Sequence, residues 1–327
     1  MRMNKENLKE AVLRSISEGA GIEIYLGLKN GEIRKANFID EVQKEIKNVF
    51  IGDIKKQIIE SENQIMCLSC SDERKDIIYH FDYTPLPDDL KFFDIVLDPK
   101  IDIKTFSFED DKLSNIDFFL FLIGDEENQI LLYKQLASIN IYKKNSGIFV
   151  RKADNEFTRV NDDFLRIVPG FEMFKINEEL YILDLKFLER KFKIYDVIRS
   201  AAVKEIKKIN EYGIVQNAES LNNLLKDTSF ARKLSRISEH SPVLGKVSNN
   251  AIISFTKNYP SLKNTFKYTD DNSQIILTTQ KSMMTFIKLL NDDFLSSELT
   301  RNHYDSIAKD VLKEEQNHNG DNIQDVF

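Results

Sequence analysis

The longest helical pattern in the chain runs from Lys186 to Asn210, and its charged and apolar side chains are segregated. On a helical wheel of about 100° per residue, the large apolar side chains share one side and most basic side chains occupy an arc of about 100° opposite. Val197 among the basic residues and Arg199 on the apolar side depart from the pattern. The apolar side comprises Leu188, Phe192, Tyr195, Ala202, Ile206 and Ile209, and the basic side comprises Lys186, Arg190, Lys193, Lys204, Lys207 and Lys208.

A basic helix face has two interpretations. Most charged faces simply face water, because lysine and arginine favour helices wherever packing does not decide the residue. On a solvated helix face, acidic and basic residues usually occur together at i,i+4 spacing. Here only one acidic residue, Glu189, borders the arc of basic residues. The second interpretation is therefore a surface that binds phosphates. The apolar side must pack on another element in either case.

The composition indicates a globular chain with room for two domains of ordinary size. It has 327 residues, of which 42% are hydrophobic and 30% charged. We expect a cytosolic protein, because the N-terminus has no apolar stretch of signal-peptide type and no apolar run is long enough to cross a bilayer.

The net charge of −7 is unevenly distributed along the chain. The first 150 residues carry 20 basic and 27 acidic residues, and the remainder carries 26 of each. Residues 186–208 hold eight basic and three acidic residues, which gives a local charge of +5. A local patch can bind nucleic acid, but the overall field of an acidic protein will not attract DNA from a distance.

The chain reads as an α+β fold with two domains. In the first, residues 1–112, Asn30-Gly31 joins two strands and suits the two positive-φ positions of a tight hairpin turn. Residues 113–312 predict an antiparallel meander of short strands, covered on one face by the long basic helix and followed by a helical C-terminal part. The last residues, 313–327, are polar and predict a flexible tail.

The sequence contains one weak candidate for a metal site and no nucleotide-binding motif. Cys67-Leu-Ser-Cys70 has the spacing of a zinc or redox pair, but the nearest further donor is His80 and no second cysteine pair exists. Two cysteines near a strand end are more often packing residues, so we predict no metal site. The sequence contains neither a P-loop nor a G-x-G-x-x-G motif, and we expect no cofactor.

One constellation suggests catalysis. Asp163 followed by Asp184-Leu-Lys186 resembles the Asp…(Asp/Glu)-x-Lys pattern of a nuclease superfamily, in which two carboxylates hold Mg²⁺ and a lysine orients the attacking water. The alternative is that Asp184 caps the helix that follows it. Asp-x-Lys also recurs at Asp102, which makes the motif weakly specific.

A second basic group follows Asp227 on another predicted helix and consists of Arg232, Lys233 and Arg236. Together with the first, it would span successive phosphates on one side of a duplex. Few aromatic residues interleave with these charges, which favours contact with the backbone of a duplex over base stacking on single strands.

Two segments resemble a known family. The runs Tyr181–Ala202 (YILDLKFLERKFKIYDVIRSAA) and Leu290–Thr300 (LNDDFLSSELT) are similar to the KwaB family of the bacterial Kiwa anti-phage defence system. The resemblance covers roughly residues 115–312 and lies in a pattern of sheet, long helix and terminal Leu-Asn-Asp segment rather than in a catalytic motif.

The resemblance implies a protein that binds DNA, including incoming phage DNA, and that forms homodimers on a multi-pass membrane partner, KwaA. It therefore implies a cytoplasmic protein held at the inner membrane through that partner. It supplies no set of binding residues, so the basic residues above are inferred from the sequence alone. Three hypotheses follow: a nonspecific DNA-binding module, a Mg²⁺-dependent nuclease, and an adaptor that does not contact nucleic acid.

Overall fold

The computed structural model describes residues 4–70, 76–142, 148–296 and 303–305. The predicted tail, 313–327, lies outside these ranges. The described helices are α1 Lys5–Ser15, α2 Asp40–Ile54, α3 Phe92–Leu97, α4 Leu185–Lys191, α5 Ile194–Glu211, α6 Thr228–Leu234, α7 Ile237–His240, α8 Asn249–Asn258 and α9 Gln280–Leu290.

The described strands are short, with the longest in the first half of the chain. They are β1 Gly21–Leu28, β2 Ile33–Lys35, β3 Gln64–Cys67, β4 Ile77–His80, β5 Ile116–Gly124, β6 Gln129–Gln135, β7 Ile141–Tyr142, β8 Val150–Ala153, β9 Glu156–Arg159, β10 Phe164–Leu165, β11 Met173–Ile176, β12 Glu179–Ile182, β13 Lys267–Tyr268, β14 Ile275–Ile276, β15 Phe294–Ser296 and β16 His303–Asp305.

One eight-stranded sheet organises the molecule, in the order β2-β1-β5-β6-β11-β12-β4-β3. Its neighbours are antiparallel except β3 and β4, which are parallel. The α+β class is therefore confirmed. Strands from both sides of residue 112 pair in this sheet, because β1 pairs with β5 along its whole length. One sheet therefore contains strands from both sides of residue 112, where we placed the domain boundary.

The predicted meander is only partly present. β5, β6, β11 and β12 are consecutive in the main sheet, but the strands between them leave it. β8 pairs only with β9, and β7 only with β10, among the described strands. Alternating polar and apolar residues predict a strand but not its partner.

The predicted hairpin at Asn30-Gly31 forms with a different turn. The Gly31 N–H donates to the Leu28 carbonyl at 2.9 Å, and Gly31 has φ +87°. Asn30 is absent from the residues with positive φ, so only one of the two expected left-handed positions occurs. This is a longer hairpin loop that ends in a left-handed glycine.

Both faces of the main sheet are covered. On one face, α1 and α2 pack over residues such as Phe121, Leu132 and Phe174. On the opposite face, alternate strand residues such as Leu131 and Tyr133 share one core with buried side chains of helices α3 to α9. Because successive strand residues point to opposite faces, one strand supplies both cores. The cover by α4 and α5 and the helical C-terminal part match the sequence prediction.

None of the helices in the described ranges combines the length and the apolar character that crossing a bilayer requires.

Candidate functional site

The predicted single helix from 186 to 210 is two helices, α4 and α5, separated at Phe192 and Lys193. Phe192 has extended backbone angles, φ −111° and ψ 144°. Its ring is buried, with ring centroids 5.8 Å from Tyr133 and 6.0 Å from Phe187. At the break, Phe192 therefore lies in an aromatic cluster above the sheet.

The break also divides the predicted basic residues. Lys186 and Arg190 lie on α4 and are exposed, whereas Lys193, Lys204, Lys207 and Lys208 lie at the start of α5 or along it. The six side chains therefore do not line one continuous rod.

Three lysines of the α5 segment form what we call the lysine face: Lys193, Lys204 and Lys207. All three are exposed, and none makes an ion pair within 4.0 Å with any acidic side chain in the described part of the chain. On a helical wheel they fall within about 60°. Lys208 differs, because its Nζ lies 2.6 Å from Glu205. The hydrogen bond to Glu205 raises the pKa of Lys208.

The second basic group does not present its arginines to solvent as the sequence predicts. Arg232 is 1% exposed and pairs with Glu189 on α4. Arg236 is 27% exposed and pairs with Glu239 and with Asp82, at 3.2 Å from the Asp82 Oδ2. α6 packs beside α5 and against the turn Leu68–Cys70, and the ion pairs tie Arg232 to α4 and Arg236 to Asp82. Arg232 therefore does not belong to an exposed surface, and the charge of Arg236 is already partnered.

A cleft of about 700 Å³ lies beside α5. Tyr83, Pro85 and Leu86 form one wall, and Val197 and Ala201 of α5 contribute to the other. Six acidic and four basic residues line the cleft, which gives a formal charge of −2: Asp82, Asp88, Asp89, Asp196, Glu205 and Glu239 against Lys193, Lys204, Lys208 and Arg236. The sequence pattern of α5 gave no indication of this acidic neighbour.

The nuclease candidates occupy separate elements. Asp184 is the N-cap of α4, and its Oδ1 accepts a hydrogen bond from the Phe187 N–H at 2.8 Å. Asp163 precedes β10 in a small two-stranded sheet, and Lys186 lies in the first turn of α4. Neither aspartate belongs to a group of three potential metal ligands among the described residues. The capping role is therefore observed, whereas the nuclease alternative stays a prediction.

One group of side chains in the described ranges has the composition of a metal site: Cys67, Asp82 and His240. Their ligand atoms all lie within 4.8 Å of one another. The His240 Nε2 is 3.6 Å from the Asp82 Oδ2.

Asp82 is held in place on several sides. The Ser69 N–H donates to its Oδ1 at 3.0 Å, and the Ser69 hydroxyl bonds its Oδ2. Burial raises the pKa of Asp82, but the nearby His240 and the hydrogen bonds from Ser69 outweigh burial and hold the pKa below its usual range.

Sequence reasoning weighed Cys67 with His80 and missed Asp82 and His240. His80 does hydrogen-bond Cys67, but it is not a member of the group of three. His240 lies on α7, far from Cys67 in the chain, so no local residue spacing predicts that the two side chains are close together.

The fold and this surface define an α+β protein with a lysine-bearing helix packed on a mixed sheet. The sequence profile of the family described as Kiwa protein KwaB-like matches residues 113–300, more than half of the chain. The chain therefore belongs to the KwaB family, and its assignment to the Kiwa anti-phage defence proteins is confirmed. The match begins beside the position where we placed the domain boundary.

A curated relative extends this likeness over the first part of the chain. The Kiwa protein KwaB of Escherichia coli O55:H7 (strain RM12579 / EPEC) is 28% identical over 315 residues, which cover 95% of this chain and all of the relative. No solved structure matches the chain.

Proposed function

We propose that this Kiwa family protein binds the phosphate backbone of duplex DNA through the lysine face of α5. The observation that carries the proposal is that Lys193, Lys204 and Lys207 are exposed, share one side of α5 and make no ion pair in the described part of the chain. Exposed, unpartnered lysines are free to exchange counterions for phosphates.

The spacing of the lysine face suits an extended polyanion. Lys193 and Lys207 are fourteen positions apart in sequence, which corresponds to about 21 Å along a helix. Duplex DNA carries one phosphate per strand for about every 3.4 Å of its axis, so a face of this length is long enough to reach several phosphates. Three contacts give an expected slope of log affinity against log salt of about −2.7.

The surroundings favour backbone contact over base stacking. Tyr195, the aromatic residue within α5, lies on the side opposite the lysine face, where it donates its hydroxyl to the Leu225 carbonyl and is half-buried. Proteins that stack bases need accessible rings beside their cations. Lysines alone position a duplex without reading its sequence.

The acidic cleft limits the strength of binding. Asp196 lies on the same side of α5 and lines the cleft with Asp88 and Asp89. Phosphates must therefore approach from the Lys207 side, because carboxylates repel them on the other side. We expect moderate affinity that falls steeply with salt.

Phage DNA as the ligand in the cell, a KwaA-like multi-pass membrane partner, a homodimer and residence at the inner membrane follow from the family resemblance. They stay predictions, and family membership is their support.

The direct test is binding of the purified protein to fluorescent duplexes of equal length and unrelated sequence, measured by anisotropy at about 0.1 M salt. We expect dissociation constants that agree within about threefold, because phosphate contacts carry no sequence information. Absence of binding, or a strong preference for one sequence, would contradict the proposal.

The same samples test the nuclease alternative. With Mg²⁺ or Mn²⁺ added, linear and plasmid DNA are expected to stay intact. Cleavage that disappears in the Asp184→Ala variant would instead support hydrolysis at the Asp163, Asp184 and Lys186 positions.

A further inference from the structure

We propose that Cys67, Asp82 and His240 form a Zn²⁺ site at the edge of the cleft. This inference is independent of DNA binding, since it rests on different residues. Thiolate, carboxylate and imidazole are the three ligand types that zinc uses in proteins.

Three elements bring the ligands together. Cys67 ends β3, and the parallel register that pairs Cys67 with His80 places it beside the end of β4. Asp82 follows β4, and His240 ends α7. The three ligand atoms lie within 4.8 Å of one another. A tetrahedral zinc ion with bonds of about 2.0–2.3 Å requires atoms roughly 3.3–3.8 Å apart, so small side-chain rotations complete the geometry.

The residues around Asp82 resemble the outer shell of a metal site. Ser69 bonds both carboxylate oxygens, and the Arg236 Nη1 lies 3.2 Å from the Oδ2. Such partners fix the orientation of a ligating carboxylate. The Asp82 side chain is 5% exposed, so it cannot swing away into solvent.

The charges balance when zinc is bound. Two ligand charges, from the Cys67 thiolate and Asp82, offset Zn²⁺, and the charge of Arg236 is offset by Glu239. Without the ion, Asp82 has Arg236 as its ion-pair partner. The Cys67 thiol must lose its proton to bind the ion, so zinc uptake is coupled to proton release.

The site has an entry path and an open coordination position. Asp82 and Arg236 both line the cleft, so an ion can reach the ligands from solvent. Three protein ligands leave the fourth position of a tetrahedral ion for water or another ligand.

The test measures metal in the purified full-length protein by mass spectrometry after dialysis against metal-free buffer. We expect close to one zinc per chain. After replacement of zinc by Co²⁺, we expect the visible bands of tetrahedral cobalt and an ultraviolet band from thiolate ligation.

Variants then assign the ligands. Cys67→Ser, Asp82→Asn and His240→Gln are each expected to weaken zinc binding by more than the 10–100-fold that loss of an outer-shell partner costs. Asp88→Asn, a cleft carboxylate outside the group, is the matched control and is expected to retain zinc.

The proposal would be overturned if the folded wild-type protein contained no zinc and showed no cobalt bands. Cys67, Asp82 and His240 would then form a cluster that binds no metal. Zinc that persists in all three ligand variants would also overturn it. If a variant fails to fold, two measurements on the wild type still test the proposal: the cobalt spectrum, and the melting temperature with and without a chelator. A melting temperature that the chelator does not change would contradict the zinc site. Metal content is measured without DNA, so this result is separate from the DNA-binding test.

Discussion

Reversal of the lysine face, by Lys193→Glu, Lys204→Glu and Lys207→Glu together, is expected to weaken binding to duplex DNA about 500-fold at about 0.1 M salt. The estimate assumes that each lysine neutralises one phosphate and that each contact contributes a slope of about 0.9. Introduced carboxylates add repulsion, so the loss should be at least this large. Anisotropy titrations of the variant and the wild type measure it.

The matched control reverses three lysines on the opposite side of the sheet: Lys44, Lys55 and Lys56. They are exposed, and they lie in α2 and the helical turn after it, which packs on the other core. The control changes the net charge by the same amount, so it reports the effect of overall charge alone. Equal losses in the two triple variants would mean that the lysine face is not the binding surface.

Phe192→Ala is expected to lower the free energy of unfolding by about 3–5 kcal/mol. Phe192 is 5% exposed and its ring packs among Phe92, Tyr133 and Phe187. The substitution leaves a cavity where α4 ends and α5 begins. Urea unfolding followed by circular dichroism measures the change.

Phe157→Ala is the control for this prediction, because Phe157 is 79% exposed on β9. The same chemical change at an exposed position should alter stability by no more than about 0.5 kcal/mol. If Phe192→Ala were equally mild, the aromatic cluster would not be what holds the break between the two helices.

Local sequence signals predicted much of the fold. The apolar stripe of 186–210 anticipated which side chains of α4 and α5 are buried, including Leu188, Ala202 and Ile206. The antiparallel strands β5 and β6 lie within the predicted meander, and the hairpin at Asn30-Gly31 follows from its turn residues. These features depend on residues close together in the chain.

Features that depend on distant residues were not predicted. The end of α4 at Phe192 is favoured by Phe92 and Tyr133, which helical periodicity cannot register. For the same reason, the sequence did not predict that one sheet contains strands from both sides of residue 112. β1 pairs with β5, which is distant from it in the chain.

The candidate site shows the same division. A helical wheel correctly placed Lys193, Lys204 and Lys207 in solvent, because exposure on a helix follows from its buried side. It could not show that Arg232 is buried against Glu189. The carboxylates of the cleft and the convergence of Cys67 with His240 likewise come from segments far apart in the chain.

The most direct test of the central claim is the salt dependence of duplex binding by the wild type and the lysine-face triple variant, measured from about 0.05 to 0.2 M salt. The proposed contacts predict a plot of log affinity against log salt that is shallower in the variant by about 2.7. Equal slopes for the two proteins would show that these lysines release no counterions, and would contradict the assignment of the lysine face as the DNA-binding surface.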